Sequence, residues 1–155
     1  MMQEHQPKSG NRFSEKSDAG EKSDSIMHGS DFPRDAIARL RPLLLVLSGL
    51  FGASGVGLAA AAAHVTGGGN LLGPASSIAL AHAPALLALY LAGEKVRTAT
   101  LSGLVIGLGV LLFAGDLAVK QWTGQSLFPM AAPTGGIAMM VGWALLALGA
   151  VLPRK

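Results

Sequence analysis

The 155 residues contain no cysteine. That excludes disulfides, thiol catalysis and zinc or iron–sulfur sites built on thiolates, and leaves the redox compartment unread. Charge is also scarce, at 14% of residues, and unevenly placed. Residues 1–41 hold seven basic and seven acidic side chains, whereas residues 42–155 hold five basic ones and two acids, Glu94 and Asp116. The net charge of +3 therefore belongs to the apolar part of the chain. With aromatics at 5% and no basic groove interleaved with them, nucleic acid is not a partner this composition suggests. Motifs are missing too: no H-E-x-x-H, no histidine pair at i, i+4, no phosphate loop, no dinucleotide fingerprint and no nucleophile–base set. GLFGASGVG (49–57) is glycine-rich but lies inside an apolar run. No catalytic, cofactor-binding or metal-binding residue is assigned, and no cofactor is expected.

What the chain does have is long oily blocks behind a polar tail. Residues 1–31 are rich in Ser, Lys, Glu, Asp and Gly, too polar to offset the entropy of ordering, so disorder is expected there. Met27 offers an alternative translation start to Met1. Residues 32–41, FPRDAIARLR, change character: Ser30 or Asp31 can cap a short helix, Pro33 suits its first turn, and Phe32, Ala36, Ile37 and Leu40 share one face. With Arg34, Arg39 and Arg41 around the rest, this reads as an amphipathic segment on the membrane surface.

Residues 42–155 then carry four apolar runs, at about 42–63, 74–92, 98–119 and 134–152. Each is long enough to cross a hydrocarbon core of about 30 Å at about 1.5 Å per residue. None shows the polar stripe of a soluble amphipathic helix. The expected fold class is an all-α integral membrane protein, a four-transmembrane-helix bundle with a disordered N-terminal tail. A cleaved signal sequence is the alternative for the first run, but its length and the preceding tail argue against it. Lys and Arg cluster before the first run, between the second and third (Lys95, Arg97) and at the end (Arg154, Lys155). The connection HVTGGGNLLG has none, and the last connection has only Lys120. Both termini are thus expected on the cytoplasmic side.

Lipid supplies little hydrophobic drive between helices, so small residues must let them approach. Ser48, Gly52, Gly55, Ala59 and Ala62 form one seam on the first span, and Gly135, Gly142 and Gly149 recur every seven residues on the fourth. The third span carries Gly103-x-x-x-Gly107 and then Ala114, opposite Asp116 on the helical wheel, while Gly109 lies on the Asp116 side. That span is either central in the bundle or meets another subunit. Tight packing within one chain and a homo-oligomer seam both remain open.

Four polar side chains in or near the spans are candidate functional residues: His82, Asp116, His64 and Lys120. An intramembrane carboxylate is costly, and Lys120 lies one turn beyond Asp116, so an Asp116–Lys120 ion pair capping the helix end is the plain expectation. His82, near the midplane, reads as a hydrogen-bonding group between helices, and His64 as an interfacial residue. The sharper alternative is a proton relay through His82 and Asp116, helped by a kink at Pro84.

Together SGLFGASGVGLAAAAAHV, ALAHAPALLAL, LLFAGDL and PTGGIAMMVGWALLALGAV, in this order, resemble a family of small bacterial inner-membrane proteins. This is the YgdD/YwdK type, or domain of unknown function 423, with transmembrane protein 256 among its eukaryotic relatives. The likeness covers about residues 45–152 and is most specific at Ala63-His64, His82, Leu112-Phe113-x-Gly115, Pro133 to Gly136 and Gly142-Trp143-Ala144. It implies a four-helix inner-membrane protein without an established activity, and carries over no catalytic residue. The chain departs from the pattern at its A-A-A-A-A-H, at Asp116, where the family has a small hydroxyl residue, and in its charged tail. The expected function is a non-enzymatic accessory or assembly component of a membrane complex. The alternative is a small transporter or proton-linked channel using His82 and Asp116. The expected partners are the lipid bilayer and either a homo-oligomer or a larger complex.

Overall fold

In the computed structural model the backbone is described for residues 32–66, 69–93 and 95–151, and side chains from Ala36 onward. The polar tail, the glycines at 67 and 68, Glu94 and the basic residues of the C-terminus lie outside the described residues. Five helices and no strand are found among those described: α1 (Phe32–Arg39), α2 (Arg41–Ala62), α3 (Leu72–Ala92), α4 (Ala99–Thr123) and α5 (Ala131–Val151). Helices α2 to α5 are the four expected spans, each long and apolar enough to cross a membrane. The apolar stretch that contains α2 begins at Ala36, at the end of α1, and runs 27 residues to Ala62. Pro42 suits the first turn of α2, where a missing N–H costs nothing.

Helix limits differ from the expected ones where polar residues extend an apolar run. α4 continues through Lys120, Gln121 and Trp122 to Thr123, because side chains that leave the hydrocarbon need not leave the helix. It ends at Gly124, whose φ of 74° is left-handed and whose N–H returns to the carbonyl of Lys120. α3 starts two residues early, at Leu72, because the Oδ1 of Asn70 accepts the N–H groups of Leu72 (3.1 Å) and Gly73 (3.3 Å). The Nδ2 of the same side chain donates to Ala62 O at 2.9 Å, tying the end of α2 to the start of α3. α5 starts at Ala131, with Pro133 accommodated in its first turn.

From Ile37 onward the chain forms one compact unit with α4 at its centre. α4 packs against α2, α3 and α5, whereas among the described helices the backbone of α5 approaches that of α4 alone. The two glycine-bearing faces of α4 are thus both used within the chain. Leu44 and Leu47 of α2 sit over Gly103 and Gly107, where an added Cβ would come within 2.9 Å and 2.8 Å of them. On the other face α5 presses its heptad glycines onto α4. A Cβ on Gly135 would stand 2.6 Å from both Gly109 O and Phe113 N, and one on Gly142 3.1 Å from Ser102 O. The small residues of α2 meet α3: Gly55 lies against Leu80, and Gly52 faces Ala83 at a looser 3.9 Å.

Two serines lock α2 to α3 in reciprocal fashion. Ser48 Oγ donates to Ala83 O at 2.8 Å, and Ser76 Oγ to Gly55 O at 2.7 Å. Such bonds between membrane helices contribute on average about 0.6 kcal/mol each. At the opposite end from Asn70, Arg41 Nε donates to Tyr90 O at 2.9 Å while the guanidinium lies 4.8 Å from the centre of the Tyr90 ring. A cation there complements the negative end of α3.

Candidate functional site

The polar side chains of the spans do not gather into one site. His82, on α3, reaches α5 although the two backbones are not neighbours. Its Nε2 accepts the indole N–H of Trp143 at 3.3 Å, with ring centroids 6.1 Å apart and planes tilted by 56°. Its Nδ1 lies 2.8 Å from Ile78 O, one turn back along α3. An acceptor at Nε2 and a carbonyl beside Nδ1 together fit the tautomer with its proton on Nδ1. In this arrangement His82 serves as a hydrogen-bonding bridge between helices. The signal for its partner was the G-W-A of the fourth span, which sequence reasoning noted only as part of a resemblance.

Asp116 is placed differently from the expected helix-end ion pair. It is only 2% exposed, and α4 continues for seven more residues beyond it. No ion pair joins it to Lys120, whose side chain is exposed. Instead Asp116 Oδ1 accepts the backbone N–H of Leu127 at 2.7 Å, from the segment that folds back between α4 and α5. The physical reason is direction. Lys120 shares the acid's side of α4 but points outward, while the return segment passes over the carboxylate and offers an amide.

Neither His82 nor Asp116 is hydrogen-bonded to the other, and His64 is exposed in the turn after α2. Two hydroxyls that sequence reasoning passed over are buried without a hydrogen-bond partner: those of Thr98 and Ser102. They lie where Gly149 and Gly142 of α5 press onto α4. Among the described residues no group of three His, Cys, Asp or Glu side chains could hold a metal ion. The surface also carries a cleft of about 500 Å³ between α2 and α4. Its walls are apolar except for Ser54, and neither His82 nor Asp116 lines it.

Comparison with known proteins adds a family. The profile described as "Protein of unknown function (DUF423)" matches residues 58–136, from late in α2 to early in α5. The chain belongs to the DUF423 family. A 55-residue stretch, 35% of this chain, is 36% identical to the UPF0382 inner membrane protein YgdD of Escherichia coli K12, and covers 42% of that protein. The same figures hold for the YgdD proteins of E. coli O157:H7 and Shigella flexneri. The match thus spans less than half the length of these relatives. No solved structure matches the chain. As a DUF423 protein, it joins relatives named for the inner membrane and a family whose function is undefined.

Proposed function

We propose that the protein is a non-enzymatic accessory or assembly component of a larger complex in a bacterial inner membrane, with both termini cytoplasmic. One observation supports this reading most. Beside the seam that α2 uses against α3, a second row of small residues, Gly49, Ala53 and Gly57, faces outward. A Cβ added at Gly49 or Gly57 would meet nothing within 4 Å. Rows of this spacing let a second helix approach closely in lipid. Ser48, Ser76 and Asp116, meanwhile, are engaged with backbone groups, and His82 with a backbone carbonyl and the Trp143 indole, rather than with one another. That leaves the transporter or channel alternative with less support, since no bond links His82 with Asp116.

Purification from native membranes in mild detergent, with mass spectrometry of co-purifying proteins, tests the reading. A reproducible partner that is lost in Gly49→Leu and Ala53→Leu, with the fold intact, supports it. A clean monomer in every detergent removes it. A second copy held at the same row replaces the larger complex with a homo-oligomer.

A further inference from the structure

α5 does not begin where α4 ends. Gly149 lies against Thr98, Gly142 against Ser102 and Ile106, and Gly135 against Gly109 and Phe113. Continuing that antiparallel register brings Ala131, the first residue of α5, level with Asp116. α4 itself runs on to Thr123, so its last two turns overhang α5 by about 10 Å. Residues 124–130 therefore descend alongside α4, and the bond from the Leu127 N–H to Asp116 Oδ1 holds them at that depth.

The other connection at this end stands higher. Asn70 ties Ala62 of α2 to the start of α3, and the Leu71 N–H donates to Gln121 Oε1 at 2.8 Å. Three helices thus reach the level of Gln121, about 7 Å beyond Asp116 along α4. Lys120 adjoins that level and is exposed, and a charge on a spanning helix belongs near the interface. Composition follows depth. The higher connection, HVTGGGN, is polar and rich in glycine. The lower one exposes Leu127 (52%), Phe128 (43%) and Met130 (69%), and no charged residue occurs from Gln121 to Pro153.

We propose that residues 124–130 are inserted in the bilayer at this end, with Leu127, Phe128 and Met130 at the boundary between headgroups and acyl chains, and that Asp116 is the internal acceptor that holds them there. A depth of about 7 Å falls within the 5–10 Å to which apolar side chains of interfacial segments sink.

Irregular backbone near hydrocarbon must find its hydrogen bonds within the protein. Here it does so group by group. The Gly124 N–H returns to Lys120 O at 3.0 Å, and Thr123 Oγ1 accepts the Gln125 N–H at 3.2 Å. Phe128 O accepts the Ala131 N–H at 3.2 Å, and Met130 O the Thr134 N–H at 2.9 Å. The Leu127 amide alone among these reaches down into the span for its partner. A segment standing in water needs no such acceptor, and would carry polar side chains as the higher connection does.

Because the chain lacks cysteine, single cysteines can carry a nitroxide. Full-length Phe128→Cys and Met130→Cys are reconstituted in vesicles of phosphatidylethanolamine and phosphatidylglycerol. Thr66→Cys in the higher connection and Leu108→Cys on the exposed side of α4 serve as water and lipid references. Collision with oxygen, enriched in lipid, and with a nickel chelate, excluded from it, reads depth. Labels at 128 and 130 are expected to favour oxygen, with chelate collision several-fold below that at 66. Asp116→Ala should raise chelate collision at both positions several-fold, and Asp116→Asn, which keeps a carbonyl acceptor, should raise it less. Chelate collision at 128 and 130 equal to that at 66 overturns the insertion. Shielding from both reagents with spin–spin broadening overturns it too, in favour of a second copy. Unchanged collision in both Asp116 variants removes the role given to that residue. Depth is read with Asp116 in place, so the insertion stands or falls even where Asp116→Ala does not fold.

Discussion

Asp116 Oδ1 holds the backbone N–H of Leu127 at 2.7 Å, eleven residues ahead in the chain, and so fixes the segment that returns from α4 to α5. The same carboxylate stands one turn from Lys120 without pairing to it, which gives two readings that mutation separates. Asp116→Ala removes the acceptor of the Leu127 N–H and should cost about 1–3 kcal/mol, with faster amide exchange over residues 125–130. Asp116→Asn keeps a carbonyl acceptor and should lose less. Lys120→Gln should change stability by less than about 0.5 kcal/mol, as surface changes away from such anchors do. Thermal unfolding in one detergent, with hydrogen exchange on each variant, checks all three. A loss in Lys120→Gln equal to that in Asp116→Ala would restore the ion pair.

The glycines of the seams should not be equivalent. Gly135→Ala would place a Cβ 2.6 Å from backbone atoms of α4, which cannot rotate away, so α5 must shift outward. Gly103→Ala meets the tips of Leu44, which can move, and should cost less. Gly52→Ala finds Ala83 at 3.9 Å and should be neutral or stabilise, since alanine favours a helix over glycine by about 1 kcal/mol. The order Gly135, Gly103, Gly52 in decreasing loss of thermal midpoint is the expected result. An equal effect at all three would contradict the packing described.

The spans were legible because an apolar run of the right length has few alternatives in lipid. Glycine spacing maps directly onto a helix face, so candidate packing positions on α4 and α5 were legible. Choosing between a central α4 and a subunit contact was not, since both faces of the wheel were equally small. Asp116 shows a different limit. A helical wheel sees residues one turn apart on the same helix, so Lys120 was in view and Leu127 was not. The segment after Gly124 doubles back, and its amide carries no sequence signature. Asn70 was hidden for a similar reason: one side chain bridging two helix ends reads, in sequence, as a turn residue.

His82 and Trp143 make the one side-chain bridge described between α3 and α5, so the pair should report on the position of α5. In a Trp122→Phe background, emission from Trp143 alone should change on His82→Ala. Trp143→Phe keeps an aromatic ring but leaves Nε2 without its donor, and should cost about 0.6 kcal/mol, the usual scale for such bonds in membranes. Nitrogen NMR of labelled His82 should show Nδ1 carrying the proton and a shift at Nε2 in Trp143→Phe. An Nε2 resonance that ignores that substitution would sink the assignment.

Met130 precedes α5 with φ at 69°, a left-handed conformation that side chains other than glycine rarely adopt. Its carbonyl accepts the N–H of Thr134 at 2.9 Å and the Thr134 hydroxyl at 2.8 Å, so the conformation is built into the start of the helix. A side chain in this region costs about 1–2 kcal/mol, part of which glycine recovers before its own larger entropy loss on folding is counted. Met130→Gly should therefore leave stability level or raise it by less than about 1 kcal/mol. Met130→Val adds a branched Cβ where the backbone least tolerates one, and should lower it. The side chain itself is exposed, so neither change removes core packing. Thermal midpoints for the pair in one detergent should fall on opposite sides of the parent, or with the glycine variant level with it. A valine variant as stable as the parent would mean that the segment before α5 relaxes to another conformation at no cost.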